Sequence, residues 1–263
     1  MGPVKIKDDI YWIGALDPDL RLFDVLFPTK RGTTYNSYLI KGEKIAVIDT
    51  VKAPFREGFM ANLRSLVEPG QIDYIVTNHT EPDHSGSLLR LLEEAKNAQV
   101  VISKTGEHFL KNTVNRDLSP LRVTDGDTID LGGKTLRFVW APFLHWPDTM
   151  FTYLVEEKIL FPCDAFGSHF CGERLFDDLV GDFSLEFKQY FESLVRPFKD
   201  KVLEAIEKIK GWEIEIIAPS HGPILRTDPQ RYIDLYREWS SPRPKVKKRA
   251  LIFYASAYGN TAR

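Results

Sequence analysis

The stretch VTNHTEPDHSGSL at residues 76–88 places His79, Glu81, Asp83 and His84 within six positions. It begins in the apolar segment DYIVTN, which is typical of a buried strand, and it runs into SGSLLRLLEEA, which has helical periodicity. All four side chains can bind a metal ion or transfer a proton. Alternate side chains of an extended segment share a face, so three of them spread from one turn with His84 beside them. The stretch therefore predicts a metal site at the end of a strand.

Three further residues of ligand type follow apolar segments elsewhere in the chain. His145 comes after TLRFVWAPF, Asp164 after KILFPC and His221 after EIEIIAPS. The carboxyl ends of strands converge at one edge of a sheet, so we expect these side chains to join those of residues 79–84. Seven ligands are too many for one tetrahedral ion. They suit two ions about 3.5–4 Å apart that share a bridging carboxylate.

The remaining pattern predicts a succession of strands and helices. Strands are expected at 37–40, 44–50, 73–78, 99–103, 135–141, 150–155, 158–162 and 215–219. Helices are expected near 55–67, 85–95, 105–112, 184–209 and 228–239. The first two strands, and also those at 150–155 and 158–162, are joined by short polar turns that predict antiparallel hairpins. We expect an α/β protein with mixed sheets covered by helices.

The composition of the chain excludes several classes of function. Lys plus Arg (35) and Asp plus Glu (37) nearly balance over 263 residues, which gives no support for nucleic-acid binding. No apolar stretch is long enough to span a bilayer, and the first residues carry no secretory signal. The two cysteines, Cys163 and Cys171, could pair, but without an export signal we expect free thiols in a cytoplasmic protein.

A change of composition marks a boundary after residue 240. The segment 241–248, SPRPKVKK, has the proline and lysine content of a solvated linker. Residues 249–263, RALIFYASAYGNTAR, then combine a buried-strand pattern with a small, polar, glycine-containing turn. Such a turn before a helix can hold a phosphate on its backbone N–H groups, although it could also be an ordinary terminal turn.

The motifs together resemble the flavodiiron proteins, which are iron-containing members of the metallo-β-lactamase fold. The resemblance covers essentially the whole chain and includes RGTTYNSYLI at 31–40, NHTEPDHSGSL at 78–88, CDAFGSHFC at 163–171 and SHG at 220–222. It implies an αββα sandwich over residues 1–240. It also implies ligand roles: His79, Glu81 and His145 on one iron, Asp83, His84 and His221 on the other, and Asp164 bridging.

Glu81 occupies the position that distinguishes this motif from that of hydrolases with the same fold. Those hydrolases generally have His-x-His-x-Asp-His, a zinc motif. A glutamate in place of the second imidazole adds an anionic oxygen ligand, and hard oxygen ligands favour iron and its oxidised form. The bias is toward redox chemistry, although zinc also accepts carboxylates.

Four other residues have weaker signals. His169 follows Asp164 closely and is a candidate for the substrate pocket, as is Tyr190, whose surroundings resemble those of a pocket tyrosine in some family members. Either could instead be a packed residue. We interpret His108 as a structural or exposed residue, and Cys163 as a small buried residue rather than a ligand.

By the same resemblance, residues 249–263 are the first strand and phosphate loop of a truncated flavodoxin-like domain that binds FMN. Ser256, Tyr258, Gly259, Asn260 and Thr261 would contact the phosphate. The rest of such a domain is absent from these residues, so we expect a longer parent protein, and we expect this portion alone to bind FMN poorly.

The resemblance implies an oxidoreductase that reduces O2 to water, NO to N2O, or both, with electrons from FMN. Family members usually form head-to-tail homodimers and take electrons from a rubredoxin-type donor. Two alternatives are a zinc-dependent hydrolase of the same fold and a non-enzymatic diiron oxygen sensor. Glu81 argues against the first, and the flavodoxin-like segment argues against both.

Overall fold

Strands and helices alternate along the computed structural model, which describes residues 1–242. The strands of this part are, in chain order, β1 Val4–Lys7, β2 Ile10–Trp12, β3 Ala15–Asp17, β4 Leu22–Phe23, β5 Phe27–Pro28, β6 Thr33–Tyr35, β7 Tyr38–Lys41, β8 Ile45–Ile48, β9 Ile72–Thr77, β10 Gln99–Ser103, β11 Leu121–Val123, β12 Thr128–Asp130, β13 Thr135–Trp140, β14 Met150–Leu154, β15 Ile159–Phe161 and β16 Ile216–Ile217. The α-helices are α1 Arg56–Arg64, α2 Pro82–Ser85, α3 Leu88–Leu92, α4 Lys104–Val114, α5 Ser184–Tyr190, α6 Lys199–Lys208 and α7 Pro229–Ser240.

The first large sheet has the strand order β1-β2-β7-β8-β9-β10-β11. Strands β7 and β8 form the expected antiparallel hairpin, with Tyr38 opposite Ile48. From β8 to β11 the neighbouring strands are parallel. Parallel strands need crossover connections, and the chain supplies α1 between β8 and β9 and α4 between β10 and β11.

The second large sheet has the strand order β12-β13-β14-β15-β16. The first four strands are antiparallel neighbours, and they include the expected hairpin of β14 and β15. Strand β16 returns parallel to β15 after the segment that holds α5 and α6. Strands β13, β15 and β16 therefore run in the same direction, and their carboxyl ends share one edge of the sheet.

Alternating side chains place the apolar core on both faces of each sheet. Ile48 and Val76 of the first sheet pack with Phe138 of the second, which fills the space between the sheets. Val47 points the other way, against α1 and α3. Val139 likewise points away from the first sheet, toward α5, α6 and α7. The layers are thus helix, sheet, sheet and helix, which confirms the expected αββα architecture.

Two of the expected helices are interrupted or shortened. The 184–209 segment is split into α5, a π-helical turn at Phe191–Val195, a 3-10 turn at Arg196–Phe198, and α6. Pro197 lies in the 3-10 turn. Proline lacks the backbone N–H, and its ring clashes with the preceding turn, so it opposes a continuous α-helix. The helix expected at 85–95 is shortened to α3, Leu88–Leu92, which Gly86 and Ser87 separate from α2. A Cβ at Gly86 would collide with the backbone of Pro82 and of Ala53, so only glycine fits there.

The first 35 residues contain strands that the sequence pattern did not predict. Strands β1 and β2 add an antiparallel edge to the first sheet, while β3 to β6 form two small two-stranded sheets. With two to four residues each, these strands are too short for a readable alternation of apolar side chains. No helix within residues 1–242 combines the length and apolar character needed to cross a bilayer.

Candidate metal centre

Four chain segments carry the expected ligands to one place between the carboxyl ends of the strands. The turn after β9 and the single-turn helix α2 hold the ligand cluster of residues 79–84, with Pro82 at the first helical position, where its fixed φ is suitable. His145 lies in the loop between β13 and β14. Asp164 follows β15, and His221 follows β16. The shared direction of these three strands explains why the loops meet.

One group of ligand atoms consists of His79, Glu81, His145 and Asp164. The Nε2 atoms of both histidines lie 3.2 Å from Glu81 Oε2. Asp164 Oδ2 lies 3.7 Å from His79 Nε2 and 3.4 Å from His145 Nε2. Two imidazole nitrogens and two carboxylate oxygens thus converge on one small volume.

The second group consists of Asp83, His84 and His221, with Asp164 again beside it. His84 Nε2 is 3.3 Å from Asp83 Oδ1, and His221 Nε2 is 3.1 Å from Asp83 Oδ2. Asp164 Oδ1 lies 3.2 Å from His84 Nε2 and 3.4 Å from His221 Nε2. The two oxygens of Asp164 therefore face different groups, which is the arrangement of a carboxylate that bridges two cations.

The hydrogen bonding of these atoms tests whether they fit metal ions. Among residues 1–242, both Asp83 oxygens, His84 Nε2 and Asp164 Oδ2 are buried and have no partner in hydrogen-bond geometry. The nearest polar neighbours of these atoms are other ligand atoms of the same groups. Buried polar atoms are normally satisfied, so converging unsatisfied ligand atoms fit cations held between them.

The histidine pKa values respond mainly to burial and to the three carboxylates. Burial lowers the pKa of His221, but the nearby carboxylates of Asp164 and Asp83 outweigh it and raise this pKa to about 10. For His145 the same competition, with the carboxylates of Asp164 and Glu81, gives a pKa of about 9. Burial raises the pKa of the Asp164 carboxyl, yet the surrounding imidazoles hold it well below its usual value. The carboxylates attract protons and metal cations alike, so metal binding there would release protons.

The Nδ1 atoms of the histidines contact different chemical groups. His79 Nδ1 lies 3.0 Å from Asp148 Oδ2, His221 Nδ1 lies 2.6 Å from the carbonyl oxygen of Thr34, and His84 Nδ1 lies 3.9 Å from Cys163 Sγ. Asp148 was not among the residues expected at the site. The sequence places it in the short segment HWPD, three positions after His145.

Tyr190 and His169, the expected pocket residues, both lie beside the centre. The Tyr190 hydroxyl donates a hydrogen bond of 3.1 Å to Asp164 Oδ1. The His169 ring packs 4.8 Å from the Tyr190 ring and 4.3 Å from Phe23, and burial lowers its pKa to about 3. His169 Nδ1 is 3.1 Å from Thr33 Oγ1, while Nε2 is buried without a hydrogen-bond partner in the described part of the chain. His169 is therefore neutral, with one nitrogen free to meet a ligand.

Asp24 is a second residue that the sequence analysis missed. It lies between β4 and β5, at the tip of a hairpin whose neighbouring residues Val25 and Leu26 are exposed. Asp24 is itself exposed, and its partial desolvation together with the nearby carboxylates of Glu81 and Asp83 raises its pKa to about 6. An acidic residue in a short hairpin gave no motif by which to recognise it.

The other residues singled out in the sequence have separate positions. His108 lies on α4, in the wall of a surface cavity of about 290 Å³ away from the centre. Cys163 and Cys171 are both free thiols. Cys163 is buried, and burial raises its pKa well above the usual value; its sulfur approaches His84 from the Nδ1 side. The expected phosphate-loop residues, Ser256 and 258–261, lie outside the described residues, as does most of the expected linker.

The fold defines a metallo-β-lactamase-like domain, and the site consists of two adjoining groups of candidate metal ligands. A family model described as "ODP family beta lactamase" matches residues 33–222. The matching relatives and solved structures include several named as flavodiiron proteins, and the chain belongs to this family.

Three of these similarities show what share of each relative's length this chain covers. The type A flavoprotein fprA of Rhodobacter capsulatus is 46% identical over 269 residues, which cover 99% of this chain and 62% of that protein. The nitric oxide reductase of Moorella thermoacetica is 42% identical over 266 residues, which cover 98% of this chain and 66% of that protein. The structure of rubredoxin oxygen:oxidoreductase from Desulfovibrio gigas superposes with a TM-score of 0.88 at 32% identity, over 90% of this chain and 61% of that one. The chain thus spans 62% of the length of its Rhodobacter relative.

Proposed function

We propose that residues 1–240 are the diiron domain of an oxidoreductase that reduces O2 to water or NO to N2O. The observation that carries the proposal is the position of Asp164, with one carboxylate oxygen toward each group of three ligands. The seven proposed metal ligands are His79, Glu81, Asp83, His84, His145, Asp164 and His221. Glu81 favours iron over zinc at this site because it adds a hard anionic ligand.

Bound iron would supply a gas-binding site and two electrons, which is the number needed to join two NO molecules into N2O with loss of one oxygen as water. The side chains around the ligands prepare the pocket for this chemistry. Tyr190 donates a hydrogen bond to Asp164 Oδ1, which holds the bridging carboxylate in one orientation. His169, Phe23 and Tyr190 form a buried wall that limits the access of water.

We propose that FMN supplies further electrons, because complete reduction of O2 to water needs four. Its phosphate would bind the loop of Ser256, Tyr258, Gly259, Asn260 and Thr261 in a longer protein. The proposed assembly is a head-to-tail homodimer that accepts electrons from a rubredoxin-type donor. Among the relatives, one is named for nitric oxide and one for rubredoxin and oxygen, and these names support both gases as candidate substrates.

Anaerobic loading followed by single turnover would test the proposed reaction. The 263-residue chain, loaded with ferrous iron and freed of excess metal, should hold about two iron atoms. Mixing with NO should release about one N2O per chain, and mixing with O2 should consume the ferrous iron by oxidation. Asp164→Asn, treated identically, provides the control for iron bound elsewhere.

Two results would contradict this proposal in different ways. Binding of a single zinc ion in preference to iron under equal competition would favour the hydrolase alternative. Stable binding of NO to the two-iron protein without any N2O release would favour a gas sensor.

A further inference from the structure

Asp148 places a charged group on the Nδ1 side of a ligand histidine, His79. Its carboxylate oxygens lie 3.1 Å and 3.0 Å from His79 Nδ1, and the side chain is fully buried. By contrast, His221 contacts a neutral carbonyl, and His84 contacts a thiol at 3.9 Å. In the first ligand group, a carboxylate therefore faces the Nδ1 atom of His79. In the second group, the Nδ1 atoms of His221 and His84 face neutral groups.

Hydrogen bonds hold the Asp148 carboxylate in place beside His79. The backbone N–H of Thr80 and its hydroxyl both donate to Asp148 Oδ2, each at 2.8 Å. The backbone carbonyl of Asp148 accepts from Ser103 Oγ at 2.8 Å, which anchors this loop to the end of β10. Carboxylates face both nitrogens of His79, Asp148 at Nδ1 and Glu81 at Nε2. When a cation takes the Nε2 lone pair, the remaining ring proton lies on Nδ1, where an ionised Asp148 accepts it.

We propose that Asp148 is a positioning residue for metal binding: it holds His79 in the tautomer whose Nε2 can bind the metal, and so strengthens the first group selectively. The inference rests on the proposed metal binding but not on the proposed reduction of O2 or NO. Hydrogen bonds of this kind orient ligand imidazoles and make them more basic, and their loss typically costs about 10–100-fold in metal affinity.

Replacement by asparagine gives the proposal its sharpest test. The Thr80 N–H would hold the amide oxygen at the Oδ2 position, because an NH2 group there would meet another donor. The NH2 group would then take the Oδ1 position, 3.1 Å from His79 Nδ1. The amide oxygen at the Oδ2 position stays 3.0 Å from His79 Nδ1 and still accepts, but without the negative charge. Asparagine should therefore weaken the site by removing the charge, whereas alanine removes the acceptor as well.

The experiment is a titration of the 263-residue chain with Co²⁺, followed by the visible absorption of bound cobalt. The unmodified chain should bind about two ions. One of the two should bind about 10–100-fold more weakly in Asp148→Ala, and by an intermediate factor in Asp148→Asn, while the other ion is unaffected. A purely structural role predicts unchanged cobalt affinity in Asp148→Asn, because asparagine keeps the shape of the side chain and an acceptor for Thr80.

Ser103→Ala provides a matched control in the same loop. It removes the hydrogen bond to the Asp148 backbone but leaves the carboxylate on His79. Its cobalt affinity should equal that of the unmodified chain even if its melting temperature falls. Equal cobalt affinity in Asp148→Asn and the unmodified chain, or a loss in Ser103→Ala as large as in Asp148→Ala, would overturn the proposal.

A measurement on the unmodified chain keeps the inference testable if the Asp148 variants do not fold. Histidine ¹⁵N spectra of the zinc-loaded protein should show His79 with the proton on Nδ1 and the metal on Nε2. The reversed pattern would overturn the inference. Failure of the unmodified chain to bind cobalt at all would overturn the proposed metal function with it, whereas cobalt binding without gas reduction would overturn only the proposed reaction.

Discussion

Glu81 is the candidate ligand at which this motif differs from the zinc motif of hydrolases with the same fold. Together with Asp83 and Asp164 it supplies three negative charges to the ligand groups when ionised. Glu81→His restores the hydrolase pattern and removes one of these charges. We expect the iron-to-zinc ratio to fall after loading with equal concentrations of both metals without oxygen, because nitrogen ligands and lower charge disfavour iron.

The Glu81→His comparison requires a folded variant, which circular dichroism can establish. The reduction potential of the iron-loaded variant should rise, because ferric ions lose electrostatic support. An unchanged iron-to-zinc ratio in the folded variant would show that Glu81 does not determine metal choice, even if the protein still binds two irons.

Asp164 and His84 should differ in how much of the centre each one supports. Asp164 places an oxygen beside each ligand group, whereas His84 Nε2 belongs to one group and its Nδ1 contact is only a thiol. Asp164→Asn should therefore lose most bound iron, while His84→Asn should retain about one of the two ions. Iron content per folded chain is the measurement. Equal iron in Asp164→Asn and the unmodified chain would contradict a bridging role.

The residues that could be predicted from the sequence were those with a positional signal. The cluster of residues 79–84 and the three later ligands each followed an apolar strand, and the structure brings all seven together. Asp148 and Asp24 do not directly follow an apolar strand in this way: Asp148 lies in the loop segment HWPD and Asp24 in a short hairpin. The role of Asp148 arises from a contact across the fold, with His79.

Helix α7 supports the loop that carries Asp164, although it contributes no ligand. The Tyr236 hydroxyl accepts a hydrogen bond of 2.9 Å from the backbone N–H of Phe166, two residues after Asp164. Tyr236→Phe leaves this buried N–H without its acceptor. We expect a loss of about 1–3 kcal/mol in the free energy of unfolding, measured by urea denaturation.

A matched control for Tyr236→Phe lies one turn away on the same helix. Tyr232 donates to Asp177 at 3.3 Å from a partly exposed position, where water can replace the bond. Tyr232→Phe should therefore destabilise the chain by less, about 0.5–1.5 kcal/mol at most. Equal losses in the two variants would show that the contact with Phe166 has no special role.

Secondary-structure elements were predictable where local sequence and tertiary packing agreed. The hairpins β7–β8 and β14–β15 have continuous apolar runs and short polar turns, and both formed as expected. The helix expected at 184–209 is interrupted where Pro197 lies in the 3-10 turn Arg196–Phe198, because proline opposes a continuous α-helix. The close approach of Gly86 to the backbone of Ala53 depends on the folding of the whole chain, which no local pattern records.

At the scale of the whole molecule, the proposed centre joins the two halves of the sandwich. His79 and Glu81 follow β9 of the first sheet, whereas Asp164 and His221 follow β15 and β16 of the second. The sequence predicted this layered architecture because the family resemblance and the strand pattern agreed. The division at residue 240 and the flavodoxin-like segment after it stay predictions, since the described residues end at 242.

Metal binding across the two sheets should raise the thermal stability of the whole domain. A ligand that binds only the folded state at 100 times its dissociation constant stabilises it by about 2.7 kcal/mol, so two ions give about 5 kcal/mol. For a domain of this size, that corresponds to a rise of roughly 10 °C or more in melting temperature. Calorimetry of the metal-free and cobalt-loaded chain would measure the shift, and Asp164→Asn should reduce it sharply. Stoichiometric cobalt binding without any rise in melting temperature would mean that the ions do not hold the two sheets together.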